Sequence, residues 1–247
     1  MLFEEFKDKY EIKAVDHFPT EIKNEPVVSV CVVTYNHINY IRQCLDSILD
    51  QKTDFDFEIL VGDDASSDGT REICIAYAEK YTEKIRLFLH HRENNIKIGG
   101  QPTGRFNFLY NLYSAKGKYI AMCEGDDYWT DPLKLQKQLD LLEEHKKTSM
   151  CVALNERYFP QDNKLVKDKM YNGKNRPFVL SGDLDIHYFH TSTYLIKKFV
   201  LDAVLKNYSH LFMGDTSLRF LLISKGPFIV LNDYVSVYRV TGKGVWS

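Results

Sequence analysis

Met122-Cys123-Glu124-Gly125-Asp126-Asp127-Tyr128-Trp129 ends an apolar run that begins at Tyr119, and it stands just ahead of Asp131-Pro132. The run has the make-up of a buried strand and Asp-Pro opens a helix, so two adjacent carboxylates fall at the C-terminal tip of a strand. Open α/β sheets bind ligands at that edge, and hard divalent cations prefer carboxylate and phosphate oxygens. The stretch predicts a place for a metal and a phosphorylated substrate.

The preceding chain repeats one unit. Val27 to Val33 is nearly all apolar and β-branched, as in a strand buried on both faces of a parallel sheet. Thr34-Tyr35-Asn36-His37 ends it, and Ile41, Cys44, Leu45 and Ile48 then recur at helical spacing, with Asn36 or Asn39 available as the cap. Phe57 to Val61 predicts a second strand, Gly62 to Gly69 a turn, and Thr70 to Tyr81 a helix for which Asp68 is the natural cap. Strands at Ile85 to Leu89 and Tyr119 to Cys123, and helices at Phe106 to Ala115 and Leu133 to His145, continue the alternation. Such alternation predicts a mostly parallel sheet covered by helices. Beyond residue 150 the pattern changes: Met150 to Leu154, Thr191 to Ile196 and Tyr234 to Val240 read as strands, whereas the lysine-rich stretch from Asp162 to Pro177 reads as a mobile loop.

The 247 residues, 44% of them hydrophobic, suffice for one large domain, and a net charge of −2 gives no global field for nucleic acid, which is not expected as a partner. Five cysteines lie in apolar periodic segments with no C-x-x-C spacing, which predicts buried thiols and a cytosolic protein. No apolar run approaches the roughly 20 residues that span a bilayer, so any membrane contact is expected to be peripheral. A homodimer stays open.

Polar groups end three of the predicted parallel strands: Thr34-Tyr35-Asn36, Asp63-Asp64 and Asp126-Asp127. Their tips would converge on one crevice. A carboxylate can accept from a base N–H or from ribose hydroxyls, Tyr35 can stack on a base, and a metal-bound Asp can neutralise a diphosphate. The convergence describes a nucleotide-diphosphate site.

Three segments carry a resemblance: 28–36 (VSVCVVTYN), 59–70 (ILVGDDASSDGT) and 116–129 (KGKYIAMCEGDDYW). Together they resemble family 2 glycosyltransferases, in order from about residue 27 to 145. The resemblance implies an α/β GT-A fold, a Rossmann-like sheet flanked by helices with a small acceptor-side β/α extension. It implies a single domain over residues 26–247, with a nucleotide-sugar-binding half at 26–130, an acceptor-binding half at 131–247, and an N-terminal extension at 1–25. It further implies Thr34 and Asn36 among the nucleotide-sugar-binding residues, Tyr35 beside the base, Asp64 on the uracil, Asp126 on the ribose side, and Asp127 on a divalent metal, Mn²⁺ or Mg²⁺. Arg105 stands roughly where relatives place a basic residue near the nucleotide or diphosphate. Glu124-Gly125-Asp126 replaces the family's Asp-x-Asp, leaving open which of Glu124, Asp126 and Asp127 touch metal. Asp215 matches the base that deprotonates the acceptor hydroxyl for direct displacement with inversion. It also suits the cap of a helix from Thr216.

Two acceptor-side residues carry two readings each. Trp129 either stacks on a sugar ring or plugs the core, and His190 either hydrogen-bonds a sugar or diphosphate or simply packs. A zinc site from His187, His190, Asp183 and Asp185 lacks a further ligand pair at zinc spacing. The expected activity is transfer of a hexose from a nucleoside diphosphate sugar, a UDP-sugar first, to a saccharide or lipid-linked saccharide acceptor in cell-surface polysaccharide synthesis. A sugar nucleotidyltransferase would need a glycine-rich basic loop after the first strand, which Thr34-Tyr35-Asn36-His37 is not. A catalytically silent nucleotide-sugar-binding module is the other alternative.

Overall fold

The computed structural model describes residues 1–167, 177–178, 189–208 and 214–242, with backbone alone at 177–178, 207–208 and 214–216. Four strands, β2 (Val28–Thr34), β3 (Phe57–Asp63), β4 (Ile85–Leu89) and β7 (Tyr119–Glu124), lie parallel in the order β4-β3-β2-β7. Their continuous β-branched and apolar sequences follow from burial on both faces: every residue of β3 and all but one of β2 are buried. Helices α2 (Ile41–Leu49), α3 (Thr70–Lys80) and α4 (Arg105–Ser114) follow β2, β3 and the β4 side as crossovers. Pairing Thr34 with Asp63 and Val33 with Glu124 brings the tips of β2, β3 and β7 level, so their polar ends meet at one edge.

Beyond β7 the sheet turns antiparallel through β12 (Leu195–Lys197) and β9 (Met150–Phe159), and β13 (Phe228–Arg239) then runs parallel to β9. The short strand β8 (Tyr128–Trp129) pairs with β13, which ties the last strand to the acidic segment. Helix α5 (Lys134–Glu144) packs Leu135, Leu139 and Leu142 beneath this half, and α6 (Lys198–Tyr208) and α7 (Gly214–Ser224) pack against each other.

Three local readings are corrected. Part of the expected loop is strand: β10 (Lys164–Lys167) forms a hairpin with the end of β9 around Asn163, whose φ of 46° makes the tight reversal. The rest of that loop up to residue 176 lies outside the described residues. Thr191–Thr193 is a 3-10 turn rather than strand, because its backbone folds onto His190 through the Thr193 N–H and hydroxyl. Asn36 does not cap α2; it sits at φ 55° with its Oδ1 accepting from Ser67 N–H at 2.9 Å. The cap position of α3 is Gly69, at φ 102°, and Asp68 just ahead of it accepts from the N–H and hydroxyl of Thr70, the first residue of the helix.

The first residues join the fold. Helix α1 (Phe3–Tyr10) sets Phe6 against Phe106 with ring centroids 5.3 Å apart, and β1 (Asp16–His17) pairs with β4. The remaining short strands, β5 (Lys97–Ile98) and β6 (Gln101–Pro102), form a hairpin turned by Gly99 and Gly100, and β11 (Pro177–Phe178) pairs with β13. All five cysteines are free and buried, and no described helix is long and apolar enough to cross a membrane.

Candidate active site

The loops after β2 and β3 are laced together. Asn36 N–H donates to Ser66 Oγ at 2.9 Å, Ser67 N–H donates back to Asn36 Oδ1, and Asp64 N–H donates to the Thr34 carbonyl at 3.0 Å. Asn36 and Ala65, at φ 55° and 58°, both hold left-handed backbone, a conformation kept at ligand sites when the surroundings enforce it. Asn36 is thereby spent on shaping the loop. Thr34 is buried, its hydroxyl 3.1 Å from His37 Nδ1.

Asp64 is 2% exposed, and its Oδ2 accepts from Arg92 at 2.6 Å and from Asn95 at 3.2 Å. Its Oδ1 is buried with no partner. Burial pushes this carboxyl up to about 6 against the pull of Arg92 and Asn95. Arg92 also lies over the Tyr35 ring at 4.2 Å, and Tyr35 is otherwise 42% exposed at the rim. Tyr35, Asp64, Arg92 and Asn95 are thus joined in one cluster that holds one unused buried acceptor. Neighbouring Asp63 is taken by structure: its Oδ2 accepts from Arg71 at 2.6 Å and from the Ser66 N–H at 3.2 Å.

The acidic segment lies across the same edge. Gly125 is required there, since a Cβ would stand 2.6 Å from Thr34 Oγ1 and 2.9 Å from His37 Nδ1. Asp126 is partly exposed, with Oδ2 3.8 Å from His37 Nε2. Asp127 is fully buried; its Oδ1 accepts from the Arg239 N–H at 2.9 Å and its Oδ2 lies 3.6 Å from His190 Nδ1. Glu124 accepts from the Thr191 hydroxyl at 2.7 Å on one oxygen. Burial pushes the Asp127 carboxyl well above the usual range, and the charges of Glu124 and Asp126 add to it. Burial likewise raises Glu124, the Thr191 hydroxyl opposing and Asp126 assisting.

Glu124, Asp127 and His190 bring ligand atoms within 4.8 Å of one another, and Glu124 Oε2 and Asp127 Oδ2 are buried without a hydrogen-bond partner. Orphaned carboxylate oxygens facing an imidazole suit a divalent cation. These are the residues that would hold it. Asp127 is the expected metal residue and Glu124 one of the carboxylates left open beside it, whereas the placing of His190 with these two carboxylates comes from the fold.

Trp129 is placed in the interior. It is 4% exposed, donates from Nε1 to the Ser192 carbonyl at 2.9 Å and lies under Lys134 Nζ, 4.1 Å from the ring. Arg105 opens α4, half-buried. Asp215 is the second residue of α7; its side chain, like His187, Asp183 and Asp185, lies outside the described residues. His190 stacks on Tyr238 at 4.3 Å and lies 2.9 Å from Ser192 Oγ. Sequence reasoning missed Arg92, Asn95 and Arg239, which lie in no motif; a lone arginine three residues past a strand tip was the one visible signal. A concavity lined by Glu21, Asp56, Phe57 and Lys84 opens at the opposite, N-terminal edge of the strands and contains none of these groups.

Known proteins resemble this chain in sequence and in fold. An uncharacterised Mycobacterium tuberculosis protein is 30% identical over 223 residues, covering 89% of this chain and 60% of its own length. The putative teichuronic acid biosynthesis glycosyltransferase TuaG of Bacillus subtilis is 37% identical over 120 residues, 49% of this chain and 43% of TuaG. The chain therefore spans about 60% of the length of the first of these relatives. Among solved structures, S. aureus TarS 1-349 in complex with UDP superposes with a TM-score of 0.62 at 22% identity, over 86% of this chain and 60% of TarS. That likeness establishes the GT-A fold. The profile of glycosyl transferase family 2 matches residues 29–205, and the chain belongs to that family.

Proposed function

We propose that this chain is an inverting transferase that moves a hexosyl group from a nucleoside diphosphate sugar, a UDP-sugar first, to a saccharide acceptor in cell-surface polysaccharide synthesis. The observation that carries the donor is Asp64 Oδ1, a buried acceptor without a hydrogen-bond partner on the carboxylate whose other oxygen is held by Arg92, itself stacked over Tyr35. Uracil offers a single imide N–H flanked by carbonyls, which suits one free oxygen beside a guanidinium. Guanine offers two adjacent N–H donors, and the second oxygen that would receive them is occupied by Arg92 and Asn95. The UDP complex of TarS and the teichuronic acid role named for TuaG support the donor and the pathway class.

Asp126, partly exposed beside His37, meets the ribose in this reading. A divalent cation held by Glu124, Asp127 and His190 would supply the charge that stabilises the departing diphosphate. Asp215 takes the acceptor hydroxyl proton, and no carboxylate is assigned as a nucleophile, so the reaction inverts.

The test is thermal stability with UDP, GDP, CDP and TDP, each with Mn²⁺ and with chelator, because a ligand that binds only the folded state raises stability by RT ln(1 + [L]/Kd). Metal-dependent stabilisation by UDP, weaker with GDP, is expected. No shift with any nucleotide would overturn the donor reading; a shift without sugar transfer or hydrolysis would favour the silent module.

A further inference from the structure

Arg239, the last residue of β13, is 5% exposed and carries its charge into the acidic segment. Its guanidinium lies between two rings, 4.9 Å from that of Tyr40 and 4.5 Å from that of Tyr128. One terminal nitrogen donates to the Asp126 carbonyl and the other to Gln43 Oε1 on α2. The same residue's backbone N–H donates to Asp127 Oδ1, and the preceding Tyr238 stacks on His190. One dipeptide at the end of the last strand therefore touches the acidic segment, His190 and α2.

The segment needs such a restraint. Three carboxylates within four residues repel one another, Gly125 has no side chain to pack, and the turn's own backbone closes through a bond from Asp127 N–H to the Glu124 carbonyl at 2.9 Å. A planar cation stacked between two aromatic rings, with two diverging donors, fixes the turn to α2 and offsets part of its charge. Lysine could reach one acceptor and would lose the planar stack.

We propose that Arg239 is a positioning residue. Clamped between Tyr40 and Tyr128, it fixes the Asp126-Asp127 turn against α2 so that the free carboxylate oxygens stay aimed into the donor site. Only its consequence for turnover rests on the proposed glycosyl transfer; the restraint itself belongs to the free protein.

Hydrogen exchange on the full chain tests it. In Arg239→Lys, amides of residues 124–128 are expected to exchange about tenfold faster, while those of α3 and β4 keep their wild-type rates. Gln43→Ala removes one acceptor at an exposed position and leaves the buried cation in place, so a smaller acceleration confined to the same segment is expected. This variant decides the matter if Arg239→Lys does not fold. Unchanged exchange at 124–128, or an acceleration spread evenly over the sheet, overturns the proposal. Where wild-type protein binds UDP with Mn²⁺, Arg239→Lys should raise the KM for the donor more than it lowers kcat. Where it binds no nucleotide, the donor reading fails and the exchange result still judges Arg239.

Discussion

The guanidinium of Arg92 lies 4.2 Å over the ring of Tyr35, and from that position donates to Asp64 Oδ2 at 2.6 Å. One side chain thus joins the half-exposed ring of Tyr35 to the buried carboxyl of Asp64, the two groups proposed to meet the donor base.

Donor binding should consequently depend on the ionisation of Asp64. Burial raises its carboxyl from 3.8 to about 6, and Arg92 opposes the rise. Because the folded value lies above the unfolded one, the native state holds more protons between them, and this group makes the fold less stable as pH rises through that window. UDP affinity, which uses the ionised oxygen, should fall as pH drops below about 6. Arg92→Met should move that midpoint upward and weaken binding by about tenfold or more. Calorimetric titration of UDP across pH, in both proteins, checks the shift. A midpoint that stays in place in Arg92→Met would remove Arg92 from this role.

Asp127→Asn should separate metal binding from stability. The amide keeps an oxygen to accept from Arg239 N–H, and it removes a buried charge crowded by Glu124 and Asp126. Metal-free Asp127→Asn is expected to be as stable as wild type or more so, by about 1 kcal/mol, while the stabilisation by Mn²⁺ with UDP disappears. Scanning calorimetry with Mn²⁺ and with chelator reads both effects. Persistence of the Mn²⁺ effect in the variant would exclude Asp127 as a ligand.

The parallel half of the fold was legible because β2, β3 and β7 are buried on both faces, and such burial leaves an unbroken apolar run. β10 escaped detection because its residues are exposed or half-exposed, so neither face imposes a pattern on the lysine-rich sequence. The carboxylates at the strand tips were readable for the same reason as the strands: their place follows from the run before them. His190 was singled out in the sequence, but Arg92 with Asn95 and, far along the chain, Arg239 were not, because little in the local sequence marks a residue whose partner is distant. Arg239 and Gln43 are 196 positions apart.

Asp215→Asn should slow the chemical step and spare donor binding. The residue lies in the first turn of α7, one residue inside a helix that starts at Gly214 rather than at Thr216, so it is not the cap, and the isosteric amide gives up only a favourable charge near the helix N-terminus if its role is structural. As the base for the acceptor hydroxyl, its loss should lower kcat on the order of 10²-fold to 10⁴-fold with the Kd for UDP unchanged. Sugar-nucleotide turnover beside a binding titration measures the two. Wild-type turnover in Asp215→Asn would assign the base elsewhere.

Lys134 should set a pH dependence of stability that Lys134→Met removes. Its ammonium is fully buried, bonded to Gln138 Oε1 at 2.8 Å and placed over Trp129, with no carboxylate paired to it among the described residues. Burial lowers its value from 10.5 to about 7, with nearby Cys123 and Cys151 opposing. Below about 7 the lysine is charged in both states, and the fold carries the whole cost of the desolvated cation. Between 7 and 10.5 the native state releases a proton that the unfolded chain retains, so stability rises with pH. Methionine fills similar volume without the charge; the lost bond to Gln138 costs about 1 kcal/mol, less than the cation's burial. Lys134→Met should therefore gain stability most at or below neutral pH and show a flatter profile up to pH 10.5. Urea unfolding across this range gives both curves, and parallel curves would mean that Lys134 stays charged in the fold.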